Sequence, residues 1–348
     1  MFTAFFGSQS SPLVAQGEGQ AVMRWLFRLS SFAVVLAAGL YGGLFWFLRN
    51  PALPSDVPAP LQRAEAARLE ADVRFLAGLS PSRNARNAES LDEAAAYIAA
   101  AFAETGCDLD QQPYKVDQVE YRNVVCTFGP EGAPRVVMGA HYDVAGDANP
   151  GADDNASGVA GILELARLIG AAEPSLAHRL DLVAFTLEEP PFFRSEVMGS
   201  YVYARSLRDA EVPLKLMVSV EMIGYFSDQP GSQAFPFGFL SWFYPETGNF
   251  IAVVGRAWDR SLVARSKALM SLGPALPVYS INAPAFLPGI DLSDHWSFWR
   301  HGFPAVMVTD TAFFRNPHYH RSTDRPETLD YRRMALTVDG LYRVAVGF

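Results

Sequence analysis

Apolar residues along the chain fall into three spacings, and each predicts a different element. Leu29 to Leu48 is apolar without a single charge, long enough at 1.5 Å per residue to cross a hydrocarbon core of ~30 Å. Shorter apolar runs, Arg135–Ala140, Leu180–Leu187, Leu214–Val220, Phe250–Val254 and Ala305–Thr309, have the length and β-branched content of strands buried on both faces. Between them, apolar positions recur three and four apart, predicting helices over Leu61–Leu79, Ser90–Thr105, Val159–Ile169, Ser195–Arg208 and Asp259–Ser271, with a terminal helix from Pro326. In the second of these Leu91, Ala95, Ile98 and Phe102 share one face. Cys107–Val116 and Val119–Phe128 read as paired strands. The alternation of strand and helix predicts an α/β fold: a mixed, mostly parallel central sheet sandwiched between helices, with right-handed crossovers, preceded by one N-terminal transmembrane helix.

This pattern divides the chain into an N-terminal cytoplasmic segment (1–24), a transmembrane anchor (25–49), a Pro-rich linker (50–60) that lifts the rest off the membrane, and one domain (61–348). Arg24 and Arg28 precede the apolar run and Arg49 follows it, a bias that keeps the short N-terminal end inside and places the domain outside the cytoplasm, periplasmic or extracellular. The rival is a cleaved signal peptide, whose apolar region is shorter, about 7–15 residues. The formal net charge of −9 argues against a nucleic-acid partner. Cys107 and Cys126 are too few for a zinc module. They form a disulfide in an oxidising compartment or remain two buried thiols.

Three of the strand-like runs end abruptly in residues that bind metals. The first ends in His141-Tyr-Asp143, the second in Glu188-Glu189, the third in Glu221. The turn Pro150–Gly158 carries Asp153 and Asp154 directly ahead of a helix. Asn155 or Ser157 there can cap the helix, whose dipole favours a carboxylate. Open α/β sheets bind ligands outside the carboxyl ends of their strands, so one sheet rim gathers His, Asp and Glu. Such a cluster stays charged and close-packed only around something positive, and a metal is the simplest candidate. Imidazole with carboxylate suits zinc, with cobalt or manganese possible. Phe226–Asn249, with six aromatics from Phe235 to Tyr244, reads as a lid or pocket wall, or as a satellite core under a loop. His178 reads as solvated and His301 as a helix end. Leu292–Phe298 reads as a short helix that Asp294 caps.

His141-Tyr-Asp143, Gly151-Ala-Asp-Asp-Asn155, Glu188-Glu189, Ser293-Asp-His295 and Asn316-Pro-His-Tyr-His320 together resemble the ordered motifs of the co-catalytic zinc aminopeptidases, a family that includes glutamate carboxypeptidases, glutaminyl cyclases and transferrin-receptor ectodomains. The resemblance runs from about Leu61 to the C-terminus. It implies two zinc ions, one held by His141 and Glu221, the other by Glu189 and His320, with Asp154 bridging them. It implies Glu188 as general base and Asp143 as the residue that orients the His141 ring. It selects His320 rather than His318. It places Asp294 and His295 in a motif near the pocket, where the pair would face substrate; Tyr225, following Glu221 closely, reads as a residue of the pocket lining. One departure stands out, since the family usually has Asp at Glu221. The implied function is a zinc-dependent exopeptidase, an aminopeptidase hydrolysing N-terminal residues of peptide substrates through a metal-bridging hydroxide. A glutaminyl cyclase using one zinc and a metal-free binding ectodomain are the alternatives.

Overall fold

The N-terminal apolar run is helical. In a computed structural model describing residues 1, 13–51, 63–272 and 276–348, α1 (Leu13–Arg49) contains one stretch, Val22–Arg49, long and apolar enough to cross a membrane. The chain divides into two units, residues 1–47 and residues 48–348.

The second unit runs α2 (Ala66–Gly78), α3 (Ala88–Ala103), β1 (Asp108–Val116), β2 (Val119–Phe128), β3 (Arg135–His141), α4 (Gly158–Ala172), β4 (Arg179–Phe185), α5 (Gly199–Asp209), β5 (Leu214–Glu221), β6 (Ile251–Arg256), α6 (Arg260–Met270), β7 (Val278–Ala283), α7 (His295–Arg300), β8 (Ala305–Thr309) and α8 (Tyr331–Gly347). The sheet order is β1-β2-β4-β3-β5-β8-β6-β7. The centre is parallel, with β3 between β4 and β5 and β5 beside β8. β1, β2 and the β8–β6 pairing are antiparallel, so the sheet is mixed. Strands β3, β4 and β5 are buried almost end to end, which is why they read as continuous apolar runs.

One face of the sheet carries α2, α3, α4, α6 and α8 over the larger core, including Ile98, Phe102, Ile162, Leu163, Val218, Val263 and Leu341. The other carries α5 and α7 over a smaller, aromatic core of Phe185, Tyr203, Phe250, Phe298 and Trp299. The carboxyl ends of β3, β4 and β5 lie together at one rim because these strands are neighbours and parallel.

Several expectations change. β7 was not anticipated, because its alternation is interrupted by Ser280 and Asn282, both buried. Asn50, expected in a free linker, is buried instead, and its Nδ2 donates to Asn282 Oδ1 and Ser280 Oγ; residues 52–60 lie outside the described residues. The predicted helix at Ser195 begins only at Gly199, whose N–H is committed to Thr186 O at 2.7 Å. Pro326 starts a single 3₁₀ turn, and α8 follows with Asp330 accepting from Arg333 N. His178 is buried rather than solvated. Cys107 and Cys126 are joined in a disulfide between the start of β1 and β2.

Candidate metal centre

His141 is the last residue of β3, and its Nε2 points past the strand end to Asp154 Oδ1 at 3.4 Å and Glu221 Oε2 at 3.4 Å. His320 arrives from the loop before α8, with Nε2 at 3.0 Å from Asp154 Oδ2 and 3.2 Å from Glu189 Oε2. Two three-donor sets therefore share one carboxylate, each using a different oxygen. For a tetrahedral zinc with bonds of ~2.0–2.1 Å, neighbouring donor atoms sit about 3.3 Å apart. The four separations bracket that edge. His141, Asp154 and Glu189 also offer donor atoms within 4.8 Å of one another.

The chemistry of the donors agrees. Glu189 Oε1 is buried without a hydrogen bond, and Asp154 Oδ2 faces only His320 Nε2, a costly condition that a cation relieves. Burial pushes the Glu189 carboxyl up to about 7, with the Asp154 charge adding to it. Burial would raise Asp154 too, but contacts with His141 and His320 outweigh it and hold the group below the carboxylate range. Burial opposes the charge on His320, yet Asp154 and Glu189 carry it up to about 10. Four carboxylates crowd two imidazoles, and the residues fit a divalent metal.

Backbone strain aims these groups. Leu187 (φ 60°), Met222 (φ 47°) and His320 (φ 56°) occupy the left-handed region, a conformation that costs a non-glycine residue on the order of 1 kcal/mol or more. Two of them adjoin Glu188 and Glu221, turning the chain at the strand ends. Asp143 serves both sides: its carboxylate accepts from the main-chain N–H of Glu188 and of Glu189, each at 3.0 Å. His141 Nδ1 meets the Asp143 main-chain oxygen at 3.1 Å, nearer than its carboxylate at 3.6 Å. The ring is thus oriented chiefly by a backbone carbonyl. Glu188 Oε2 stands 3.9 Å from His141 Nε2. Burial raises its carboxyl well above the ordinary value, reinforced by the Glu189 and Glu221 charges. Ser293 Oγ donates to Glu221 Oε2 at 2.7 Å, fixing the longer side chain at this position.

The expected cap takes another form. Asn155 Oδ1 accepts from Gly158 N and from Met222 N, while its Nδ2 donates to Val220 O. Asn155 thereby staples the ligand turn to the end of β5. Asp294 forms no side-chain cap on α7. It is buried, neither carboxylate oxygen is hydrogen-bonded, and burial pushes it up to about 7. His295 is fully buried, its Nε2 at 2.8 Å from Ile290 O and its ring edge-on to Trp299. The ring is thus committed to the core. Tyr225 donates its N–H to Asp310 and packs on His318. His318 in turn faces Thr323.

Two supporting residues gave no sequence signal. Arg83 is fully buried, and its guanidinium donates to the carbonyls of Tyr142 (2.7 Å), Leu76 (3.0 Å), Pro150 (2.5 Å) and Gly151 (2.6 Å). It ties the His141 strand end to the Asp154 turn. Asp324 accepts from the N–H groups of Asp153 (3.0 Å) and Asp154 (3.1 Å). A loop Arg and a loop Asp look like surface residues in a sequence; only the fold brings carbonyls and amides to them.

Beside Glu221 opens a cavity of about 120 Å³. The aromatic segment supplies part of its wall through Phe235, Leu240 and Tyr244, facing Phe250, Met307 and Phe314. Glu221 is its one ionisable acid or base apart from tyrosines.

Residues 123–345 match the family model of "Peptidase family M28". The Escherichia coli K12 protein YfbL, itself uncharacterized, is 46% identical over 292 residues, covering 82% of this chain and 89% of YfbL. A probable leucine aminopeptidase of Trichophyton verrucosum is 30% identical over 67% of this chain, which spans 58% of that protein. The crystal structure of the Legionella pneumophila LapA aminopeptidase superposes with a TM-score of 0.65 at 22% identity, covering 81% of this chain and 72% of LapA.

Proposed function

The chain belongs to peptidase family M28, and from that premise we propose that it is a membrane-anchored aminopeptidase using two zinc ions to release apolar N-terminal residues from peptides. The observation that carries this reading is the pair of three-donor sets meeting on Asp154. His141, Glu221 and Asp154 Oδ1 would hold one ion, and His320, Glu189 and Asp154 Oδ2 the other; cobalt or manganese would accept the same donors. When bound, the ions supply Lewis-acid polarisation of the scissile carbonyl and acidification of a water.

Glu188 stands free of the two donor sets and carries no assignment but proton transfer. It takes a proton from the attacking water and delivers it to the leaving amine. Asp143, gripping both glutamate amides, keeps the Glu188 carboxylate in register with His141. The acid excess at the rim favours the α-ammonium of a free N-terminus. The cavity then receives the first side chain, and an acidic one would lie there unpaired.

α1 supplies the anchor, with Arg24 and Arg28 on the cytoplasmic side. The Cys107–Cys126 disulfide supports an oxidising compartment for the catalytic unit. The test is direct: full-length protein in detergent, assayed with leucyl and glutamyl chromogenic anilides and a glutaminyl peptide, before and after chelation. Leucine release abolished by chelation and restored by zinc is expected. Cyclisation of the glutaminyl peptide without anilide hydrolysis would transfer the assignment to a cyclase, and hydrolysis indifferent to complete chelation would remove the metal from the mechanism.

A further inference from the structure

β7 is an edge strand of the sheet, and its Ser280 and Asn282 side chains bond to Arg49 and Asn50. Leu48 and Asn50 are buried in the catalytic unit. Asn50 is bonded to Asn282 and Ser280. Lys267 Nζ donates to the main-chain oxygens of Arg49 (2.6 Å) and Asn50 (3.0 Å). The Arg49 guanidinium lies 4.7 Å from the Tyr279 ring centroid and 5.9 Å from that of Tyr244. The point where the apolar helix hands over to the catalytic unit is thus fixed to the edge formed by β7 and Tyr244.

The same edge carries the unit's most exposed aromatics. Among the described residues from 63 onward, the three most exposed large hydrophobic side chains are Phe286 (83%), Trp242 (71%) and Trp258 (69%). Trp242 is two residues from Tyr244, in the turn that also exposes the stacked Phe237 and Phe239. Phe286 follows Asn282 by four residues, within about 14 Å of chain. Trp258 lies beyond β6, next to it through the Ala257 N to Ala283 O bond of 3.0 Å. Exposed Trp and Phe on loops are poor partners for water and good ones for lipid headgroups and upper acyl chains.

We propose that this aromatic edge rests in the surface of the bilayer from which α1 emerges, with Trp242, Phe286 and Trp258 inserted at headgroup depth. The proposal rests on the anchor reading above. Chain continuity selects lipid over a protein partner: the uncharged run ends at Leu48, one residue before the contacts with Tyr244 and Tyr279, so the edge is held against lipid at high effective concentration. Because Tyr244 and Tyr279 also line the cavity, substrate is met at the membrane surface, and peptides whose apolar N-termini partition into lipid are presented to it there.

The experiment uses the full chain in nanodiscs that contain spin-labelled lipids. An environment-sensitive fluorophore is placed through Trp242→Cys or Phe286→Cys, with Leu36→Cys as the anchor control and Asp117→Cys, on the β1–β2 turn, as the distant control. Each labelled protein is first shown to hydrolyse a soluble anilide at the wild-type rate. Quenching at 242 and 286 comparable to that at 36, with none at 117, is the expected result. Quenching at 36 with 242 and 286 as unaffected as 117 overturns the proposal and leaves the anchor standing. No quenching at 36 overturns the anchor, and the proposal falls with it.

Discussion

Glu188 and Glu189 are adjacent in sequence yet face different work, because Asp143 grips both amides and Leu187 turns the chain before them. Replacing Glu188 with Gln keeps shape and burial but removes the proton acceptor. Metal content is expected to stay at the wild-type level while kcat falls about 10²–10⁴-fold; a variant with normal turnover would reassign the base. Arg83 makes the opposite kind of contribution. Arg83→Met leaves four carbonyls without their donor, and chemical denaturation should show a loss on the order of 3 kcal/mol, together with weaker metal binding as the Asp154 turn loosens. A variant that merely loses surface charge would show neither. At this scale the sequence exposed the metal-binding residue types, since His141, Glu188, Glu189 and Glu221 interrupt or end apolar runs. It concealed Arg83 and Asp324, whose partners are main-chain groups from distant turns, and it could not show that His295 turns inward to Ile290.

The strands β3, β4 and β5 were legible as elements because burial on both faces leaves them no reason to alternate. β7 was not, and the cause lies in what covers it: Ser280 and Asn282 break the apolar pattern in order to receive Asn50 and Arg49. Lys267, on α6, belongs to the same junction and gives it a pH signature. Burial lowers its pKa from 10.5 to about 8, with Arg49 adding to the shift. Between those values the folded chain binds fewer protons than the unfolded one, so this group's contribution to stability rises with pH across the window. The cost of burying the charge is in full force below the folded value and relieved above the unfolded one. Relative to Lys267→Met, the wild-type melting temperature should therefore improve from pH 7 towards pH 10.5; a constant difference would contradict the shift. At the start of β1, the disulfide closes a loop with a sequence separation of 19. Reduction should lower stability by about 3 kcal/mol on the loop-entropy relation, measurable by denaturant titration with and without reductant.

Across the whole molecule, the sheet is mixed on both sides of its parallel centre: β1–β2 and β2–β4 pair antiparallel, and β8, inserted between β5 and β6, pairs antiparallel with β6. An α/β order predicts parallel strands and buried faces, but it carries no information on which gap a late strand fills, so the antiparallel β8–β6 pairing was not readable. The gathering of distant motifs at one rim was readable, since strand ends of a parallel centre share a side. The acid excess held there makes folding and metal linked quantities: an ion bound only by the folded chain stabilises it by RT ln(1 + [L]/Kd). Chelation is expected to lower the melting temperature as well as activity, and re-addition of zinc to restore both.

The two halves of the centre are not equally sheltered. The His141 side chain is 1% exposed, whereas that of His320 is 31% exposed on a loop. Two ions held there would therefore differ in their access to solvent, and a chelator would reach the one beside His320 first.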